Sequence, residues 1–551
     1  MPGIARARVA LVFGPHRTWD APRNFPTGLG LIAAVLRRAG HDVRVIEVKA
    51  ERLSRDAVLG RIAAYDPDVV GFGGLITTYA YAKWLIGALK RWRPDLPVIV
   101  GGGLGSSVPE LILTKTPADV AVIGEAEETV LELIPALLAR EGLEGIQGIA
   151  FRRSEVRGQR SEHPEPRTPD PELQSAIRNP QSAIHFTAPR PPIRDLDSLP
   201  FPAWDLFPME EYLQHPVVGL GRDMDLISSR GCPHRCTYCF QVFGRRFRAR
   251  SAANIVEEIS LLDRRYGLDF VSFQDDCFVV DPARVYEFCD LLDQSGMRIK
   301  WSCCGRVNLV DAPLLARMRA AGCVSVNFGI ESGSQTILDR VKKGVKVERA
   351  KEAVRLVRAA GMRCPTSFML GTPGETRETA FETVRFCQEL QIPLSALMLT
   401  TPYPGTPLYD EMKAAGLIRR SEVRGQRSEG LESSSSLSVL TSDLSPLTSE
   451  EAYVERLGDC VNFTLNLTEM PDADLLALRD EMLATIRATV RGETPAEREQ
   501  FERALYGDDL YAKGQAQLAR PEEQAHRAQH GFNEEQAVRH QPSVISQKKV
   551  G

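Results

Sequence analysis

Two series of short apolar runs, each run followed by a segment with helical periodicity, constrain the fold of this chain more than any other feature. The first series occupies residues 1–150, and the second extends from about Asp225 to Glu411. Strands that alternate with helices at this spacing predict parallel sheets covered by helices. The chain is therefore predicted to be an α/β protein with two sheet-containing domains.

The first series predicts a doubly wound, Rossmann-like domain. Its predicted strands are Val9–Phe13, Val43–Val48, Val69–Phe72, Val98–Val100 and Val120–Ile123. Glycine follows three of these strands, and ligands of such sheets bind beyond the carboxyl ends of the strands. Tight turns explain any single glycine pair, whereas three clusters together indicate that a large, flat ligand approaches the backbone.

The second series predicts a partial (β/α)6 barrel of the TIM type, open on one side. Its six predicted strands are Leu226–Ser229, Phe270–Gln274, Ile299–Ser302, Val324–Ile330, Thr366–Leu370 and Leu394–Thr400. A helical pattern follows each strand. Because a closed barrel of this type has eight strands, six βα units are too few to complete one.

Three cysteines follow directly after the first strand of the second series, and they are Cys232, Cys236 and Cys239. Three thiolates on one tight loop can each bind one iron of a cubane cluster. The fourth iron then keeps an open position for a substrate or cofactor. Zinc is the alternative metal, but His234 lies between two of the cysteines, in a poor position for a fourth ligand. Arg230 and Arg235 are expected to offset part of the negative charge.

The composition excludes several classes of protein. The 68 Lys+Arg and 72 Asp+Glu residues nearly cancel, so attraction to nucleic acid or to an anionic membrane is not expected. Eleven cysteines in 551 residues are too few for a disulfide scaffold. No apolar stretch is long enough to span a membrane. We therefore expect a cytoplasmic protein, in which thiols stay reduced and clustered cysteines bind metal.

Several segments are predicted to lie outside the two domains. Residues 151–190 form a low-complexity insert, 191–222 a linker and 419–448 a second insert, and both inserts contain the peptide RRSEVRGQRSE. We interpret this peptide as a mobile DNA repeat translated at two tolerant loops, with a paired recognition tag as the alternative. The barrel then covers 223–418, a small helical C-terminal extension covers 449–513, and a disordered tail covers 514–551.

The cysteine motif carries a resemblance to a known family. Its CxxxCxxC spacing, the aromatic residue before its last cysteine and the six βα units resemble the radical SAM superfamily. The chain is similar to the cobalamin (B12)-binding subgroup, which includes anaerobic magnesium-protoporphyrin IX monomethyl ester cyclase and hopanoid-modifying enzymes. The stretches that carry this similarity are Phe273-Gln274-Asp275-Asp276, Arg306-Val307-Asn308, Phe328-Gly329-Ile330-Glu331-Ser332-Gly333, Leu370-Gly371-Thr372-Pro373-Gly374-Glu375-Thr376 and Pro402-Tyr403-Pro404-Gly405-Thr406-Pro407.

The resemblance implies three cofactors and a mechanism. The three cysteines would hold a [4Fe–4S] cluster, S-adenosylmethionine (SAM) would bind the open iron, and cobalamin would bind the first domain. One electron from the cluster would cleave the sulfonium and release a 5′-deoxyadenosyl radical, which abstracts hydrogen from an unactivated carbon. Methylation or oxidative cyclisation of that carbon is the expected outcome. The protein would supply placement, electrostatics and exclusion of water.

The resemblance also implies SAM-binding residues in the cysteine motif and at the ends of the barrel strands. They are Tyr238, Asp275, Asp276, Arg306, Glu331 and Gly371. A carboxylate would accept hydrogen bonds from the SAM ammonium, Arg306 would pair with the SAM carboxylate, and Gly371 would let adenine approach the backbone. The structural alternatives are a helix N-cap for either aspartate and an ion pair for Glu331 or Arg306.

Cobalamin is expected at the glycine-rich edge of the first domain. The implied contacts are Gly73, Gly74, Thr77, Gly102, Gly103 and Gly124. The Asp-x-His-x-x-Gly motif, whose histidine binds cobalt in mutase-type domains, is missing, so cobalt is expected without a protein imidazole. Gly124-Glu125-Ala126-Glu127 stands where the subgroup usually has Gly-Glu-Gly-Glu.

Two other functions remain open. The chain is then either a radical SAM enzyme whose first domain does not bind cobalamin, or an iron–sulfur redox sensor without turnover. A methylthiotransferase is not expected, because no cysteine precedes Cys232. The expected partners are a small-molecule substrate of lipid or tetrapyrrole-like character and an electron donor such as flavodoxin or ferredoxin, with no nucleic acid.

Overall fold

The computed structural model describes residues 6–15, 24–152, 184–213, 221–394, 397–418, 449–457 and 464–518. The second copy of the repeated peptide, all but the first residue of the first copy, and the predicted tail beyond residue 518 lie outside these ranges. Within them, no helix is long and apolar enough to cross a membrane.

The first sheet has seven strands in the order β2-β1-β3-β4-β5-β6-β7. The strands are β1 (Arg8–Phe13), β2 (Asp42–Glu47), β3 (Val69–Gly73), β4 (Val98–Gly101), β5 (Val120–Val122), β6 (Ile149–Arg152) and β7 (Ile184–Phe186). The first five pair in parallel because helices return the chain over the faces of the sheet. The strand order reverses between β1 and β3, which opens a crevice at the carboxyl edge.

In the part of the first domain that the structure describes, six helices cover this sheet. They are α1 (Thr27–Arg38), α2 (Arg55–Tyr65), α3 (Tyr79–Trp92), α4 (Gly102–Ser107), α5 (Pro109–Lys115) and α6 (Thr129–Ala139). The apolar strands are buried on both faces, as in other parallel sheets. The short helix α4 begins directly at the end of β4, so its glycines lie at the carboxyl edge.

Two antiparallel strands extend the sheet beyond the five predicted ones. β6 pairs with β5, and β7 pairs with β6. Both are too short to stand out in the apolar pattern, and the stretch 153–183 separates them in the chain. β7 thus lies inside the segment 151–190 that the sequence pattern suggests is an insert.

The second sheet is a curled, parallel half-barrel in the order β15-β14-β13-β12-β11-β8. Its region contains β8 (Asp223–Leu226), β9 (Ser229–Arg230), β10 (Arg248–Ala249), β11 (Phe270–Phe273), β12 (Lys300–Gly305), β13 (Cys323–Glu331), β14 (Thr366–Leu370) and β15 (Met398–Leu399). The strands β9 and β10 form a separate antiparallel pair. The predicted fold class, a Rossmann-like domain followed by a partial barrel and C-terminal helices, is confirmed.

The first barrel strand begins three residues earlier than its predicted position. Asp223 and Asp225 are buried on β8, where Ser272 Oγ donates to Asp223 at 3.0 Å. Gln274 Nε2 donates to Asp225 at 2.7 Å. Because the strand carries carboxylates on one face, it lacks the apolar run by which the other strands are predicted.

Helices pack around the half-barrel. They are α7 (Met209–Leu213), α8 (Ala252–Tyr266), α9 (Pro282–Ser295), α10 (Ala312–Ala320), α11 (Gln335–Arg340), α12 (Val347–Ala359), α13 (Arg377–Glu389) and α14 (Pro407–Ala414). Phe273, Phe278, Phe288 and Trp301 meet beneath α9, with ring centroids of neighbouring pairs between 4.6 and 6.0 Å apart. This aromatic cluster fixes α9 against β11 and β12.

The described residues beyond 448 contain four helices, namely α15 (Glu450–Arg456), α16 (Asp472–Thr489), α17 (Pro495–Tyr506) and α18 (Asp508–Leu518). In α15, Glu450 bonds Lys413 of the barrel region at 2.6 Å, and Glu451 bonds Lys83 of the first domain at 2.8 Å. This helix therefore joins the two domains. α18 continues past residue 513, where the sequence predicts the start of the tail.

The aromatic cluster makes a stability prediction. Phe288→Ala should lower the free energy of unfolding by about 3–5 kcal/mol, because the buried ring leaves a cavity among three aromatic neighbours. Tyr286→Ala, on the same helix but 36% exposed, is the matched control and should cost less than about 1 kcal/mol. Equal losses in denaturant titrations of the two variants would contradict this account.

Candidate active site

The three cysteines lie on the loop between β9 and β10, at the carboxyl end of the half-barrel. Two backbone hydrogen bonds anchor its middle: Thr237 N–H donates to Val341 O at 3.0 Å, and Leu408 N–H donates to Thr237 O at 2.9 Å. The side chain of Gln241 donates to His234 O at 2.8 Å and closes the loop from within. The loop is thus held by α11 and α14 as well as by itself.

Gly231 allows the chain to turn into this loop. Its φ of +84° lies in the left-handed region, and a Cβ here would meet the carbonyl oxygen of Arg246. A side chain is therefore excluded on both conformational and steric grounds. The amide of Cys232 then donates to Gly244 O at 3.2 Å.

The three thiols are free and suit a multinuclear iron cluster, which takes one thiolate on each of three irons. Burial raises the pKa of Cys239 to about 12, with the charge of Asp276 and the other two thiols acting in the same direction. Burial likewise raises the pKa of Cys232. These thiols therefore need bound positive charge to become thiolates, which iron supplies. Within the described ranges, no three His, Cys, Asp or Glu side chains are grouped to hold a single metal ion.

Arg306 brings a cationic side chain to the cysteines. Its Nη1 lies 3.8 Å from Cys236 Sγ, and the side chain is buried at the end of β12. Arg306 and Lys343 add to the effect of burial on His234, whose pKa is lowered to about 4. The imidazole is therefore neutral, and the guanidinium lies close to the cysteine whose negative charge it can balance.

The two predicted aspartates have different surroundings. Asp275 is buried, and its carboxylate accepts hydrogen bonds from Ser228 N–H at 3.1 Å and from the hydroxyls of Ser228 and Ser229. Asp276 is exposed at the end of β11. Asp275 therefore holds the turn between β8 and β9, and neither aspartate caps a helix, since the cap of α9 is Asp281.

Glu331 ends β13 in a strained conformation, with a φ of +72°. Its Oε1 accepts from Lys343 Nζ at 2.9 Å, and the same ammonium donates to Tyr238 Oη at 3.0 Å. Such strain costs about 1–3 kcal/mol and persists where the surroundings over-determine it. The arrangement links the strand end to the cysteine loop through Lys343, a residue that sequence reasoning missed.

Glu375 closes the glycine-rich turn after β14. Its Oε2 accepts from Gly371 N–H at 2.7 Å and from Thr372 N–H at 3.0 Å, while Oε1 is buried without a hydrogen-bond partner. Leu475 of α16 lies 3.4 Å from where a Cβ of Gly371 would be. The N–H of Gly371 thus already donates its hydrogen bond within the turn.

At the edge of the first domain, the structure brings Gly74 and Gly102 together. A Cβ on Gly102 would lie 3.0 Å from Gly74 O, and the φ of Gly102 is +70°. The Gly74 carbonyl also accepts from Leu104 N–H at 3.0 Å. The two glycines therefore allow the loops after β3 and β4 to stack backbone on backbone.

The other predicted cobalamin contacts lie along the same edge. Gly73 ends β3, and Thr77 lies in the 3₁₀ turn Ile76–Thr78. Gly124 follows β5 with a φ of +79°, has open space where a Cβ would be, and donates its N–H to Ser106 Oγ at 3.0 Å. Glycine backbone therefore forms much of this edge, with the side chain of Leu75, 49% exposed, beside Gly103.

Phe240, directly after Cys239, joins the two edges. A Cβ on Gly103 of the first domain would lie 3.6 Å from its ring, and a Cβ on Gly405 would lie 2.6 Å from it. The ring therefore lies between the predicted cobalamin edge and the loop before α14. The cysteine loop and the glycine-rich edge face each other across this contact.

Arg230 does not serve the cluster as the sequence suggests. Its guanidinium pairs with Glu125 at 3.1 Å and with Glu127, both from the loop after β5. Arg235, the other predicted cation, is exposed. Arg230 thus neutralises glutamates of the first domain, and Arg306 is the arginine that contacts a cysteine.

Two family models match the chain, and they cover both halves of this site. The radical SAM superfamily model matches residues 226–387. The B12 binding domain model matches residues 22–134.

Curated relatives cover most of the chain. An uncharacterised methyltransferase of Pyrococcus horikoshii is 32% identical and covers 71% of this chain and 79% of its own length. The anaerobic magnesium-protoporphyrin IX monomethyl ester cyclase of Rubrivivax gelatinosus is 26% identical, covering 70% and 66% respectively. The cytidylyl-2-hydroxyethylphosphonate methyltransferase of Streptomyces wedmorensis is 27% identical, covering 76% and 84%.

Solved structures share the fold at lower identity. The radical SAM methyltransferase TsrM of Kitasatospora setae, with cobalamin and a [4Fe–4S] cluster bound, has a TM-score of 0.63 at 18% identity, covering 94% of this chain and all of its own. The cobalamin-dependent SAM radical enzyme OxsB has a TM-score of 0.59 at 18% identity. That match covers 75% of this chain and 56% of OxsB.

The chain belongs to the radical SAM superfamily and carries a B12-binding domain. It is a radical SAM enzyme of the cobalamin-dependent group, which includes methyltransferases and cyclases. The first domain implies cobalamin as a cofactor, and the second implies a [4Fe–4S] cluster and SAM. The free thiols and the glycine-rich edge fit these groups.

Glu375 gives the site a pH-dependent stability. Burial raises its pKa from 4.5 to about 7, so its contribution is complete below pH 4.5 and is lost as the pH rises through 7. Glu375→Gln should flatten the decline of stability in this window by about 2–3 kcal/mol. The decline of stability with pH that remains in this variant should come from Glu47, whose pKa burial also raises to about 7. Glu378→Gln, at the exposed start of α13, is the control, and an unchanged slope in Glu375→Gln thermal scans would refute the assignment.

Proposed function

We propose that the chain cleaves SAM reductively at a [4Fe–4S] cluster on Cys232, Cys236 and Cys239 and modifies an unactivated carbon with the help of cobalamin. The cofactors supply the radical and the methyl-carrying metal, and the protein positions them. The observation that carries this proposal is the position of Phe240, the residue directly after Cys239, against Gly103 of the glycine-rich edge. This position would make the two proposed cofactor sites adjacent, within reach of one substrate.

The residues at the strand ends would bind SAM. Asp276 is exposed beside the thiols and is suited to accept hydrogen bonds from an ammonium group. Glu331, Lys343 and Tyr238 form a hydrogen-bonded chain that would hold the polar end of SAM against the cysteine loop. Arg306 would balance the charge of the cluster.

The two other predicted SAM contacts, Asp275 and Gly371, would shape the backbone turns around the binding surface. Asp275 holds the turn that leads into the cysteine loop. The Gly371 amide is bound by Glu375, so its part in SAM binding would be limited to the shape of the turn and to its carbonyl. We propose that both support the binding surface.

Methyl transfer is the reaction that we favour, with oxidative cyclisation as the alternative. Two of the relatives described above are methyltransferases, whereas one is a cyclase. The expected substrate is a small molecule of lipid or tetrapyrrole-like character, and a flavodoxin or ferredoxin would supply the electron. The site residues and the domain boundaries at 222, 418 and 448 remain part of this proposal. By contrast, β6 and α18 extend across the predicted boundaries at 150 and 513, and β7 brings residues of the predicted insert 151–190 into the first sheet.

Cys236→Ala tests the cluster assignment. Anaerobically reconstituted protein should form 5′-deoxyadenosine from SAM under reduction, and Cys236→Ala should abolish it, because the cluster loses one of its three ligands. Cys364→Ala, at a cysteine outside the loop, is the matched control and should retain activity. A redox sensor would form no 5′-deoxyadenosine, so its absence in the unaltered protein would reject an enzymatic role.

Gly102→Val tests the cobalamin assignment. A side chain would collide with the Gly74 backbone at a left-handed φ, so bound cobalamin should fall several-fold while the iron content stays unchanged. Cobalt and iron would be measured in protein from a cobalamin-supplied host. Gly60→Val, at an α2 position with open space around it, is the control. No cobalt in the unaltered protein would support the alternative of a first domain that does not bind cobalamin.

A further inference from the structure

Four buried charged side chains connect the first domain to the cysteine loop. They are Glu125 and Glu127 after β5, Arg230 at the end of β9, and Arg248 on β10. Each side chain is between 4% and 6% exposed. Such burial is costly for single charges, so the group persists only because its members pair.

The ion pairs join members of the group to one another, and the Ile193 backbone also donates to Glu125 and accepts from Arg248. Arg230 binds both glutamates, and Arg248 binds Glu125 through both carboxylate oxygens. Two negative and two positive side chains leave no net charge. Removing one member would leave an uncompensated buried charge, whereas removing Glu127 with Arg230 would leave the neutral pair Glu125–Arg248.

The group lies between the two cofactor edges. Glu125 directly follows Gly124 at the glycine-rich edge, and Arg230 is followed by Gly231 and Cys232. The Phe243 ring packs on the Arg230 guanidinium at 5.0 Å from the far side of the cysteine loop. Because Gly231 is locked in its turn, movement of Arg230 would be passed on to Cys232.

We infer that Glu125 and Glu127 are positioning residues that set the placement of the cysteine loop relative to the cobalamin edge. They bind no cofactor themselves and act through Arg230 and Arg248. The inference rests on the proposed function in one respect: a fixed distance between cluster and cobalt presupposes that both cofactors are bound. The tethering of the loop does not require turnover.

The test compares Glu127→Gln with the double variant Glu127→Gln/Arg230→Gln in anaerobically reconstituted full-length protein. Amide hydrogen exchange of residues 231–240 reports how firmly the loop is held. The magnetic broadening of the cob(II)alamin EPR signal by the reduced cluster reports the distance between the two cofactors. Thermal unfolding reports stability, and Glu455→Gln, which weakens the exposed Lys83–Glu455 pair, is the matched control.

Glu127→Gln should destabilise the protein, and exchange in the loop should be several-fold faster, with no such change in Glu455→Gln. The double variant should recover thermal stability because its remaining charges balance. Its cysteine loop should still exchange faster than that of the unaltered protein, and the broadening of its cob(II)alamin signal should differ from that of the unaltered protein. Recovery of all three measurements would show that the group only balances charge and would overturn the inference. Unchanged exchange in Glu127→Gln would overturn it as well, and if that variant fails to fold, the double variant decides.

Discussion

The structure depends on a neutral group of four buried charges that joins two parallel sheets at their carboxyl edges. Parallel sheets collect their loops at that edge, so each sheet offers one surface on which a ligand can approach backbone. In this chain the two surfaces face each other, and Phe240 and the four buried charged side chains lie between them. A purely apolar contact would bury as much area, but it would not fix the direction of the approach as paired charges do.

Much of the fold follows from the apolar pattern, and the exceptions have physical causes. Strands buried on both faces, such as β3 and β14, lie where the sequence predicts them. The strand β8 begins earlier than the sequence predicts, because the buried Asp223 and Asp225 interrupt its apolar pattern. The strand β7 has three residues and gains its order only by pairing with β6.

The site divides in the same way. The cysteine loop is predictable because its chemistry needs three thiols at short spacing. Lys343 was missed because nothing in a Lys-Lys-Gly stretch shows that one ammonium is buried between Glu331 and Tyr238. The partner of Arg230 was also missed, since two domains that are far apart in the chain supply the pair.

Several polar groups near the cysteines hold the protein rather than a ligand. Asp275 accepts from backbone N–H and hydroxyl groups, and Glu375 accepts from two backbone N–H groups through one of its oxygens, which makes the turns around them rigid. Rigid turns cost nothing further when a ligand binds, because their conformational entropy is already lost. The strained backbone at Glu331 is held in the same way, because Lys343 donates both to its carboxylate and to Tyr238 of the cysteine loop. The turns around the site are therefore held by contacts within the protein itself.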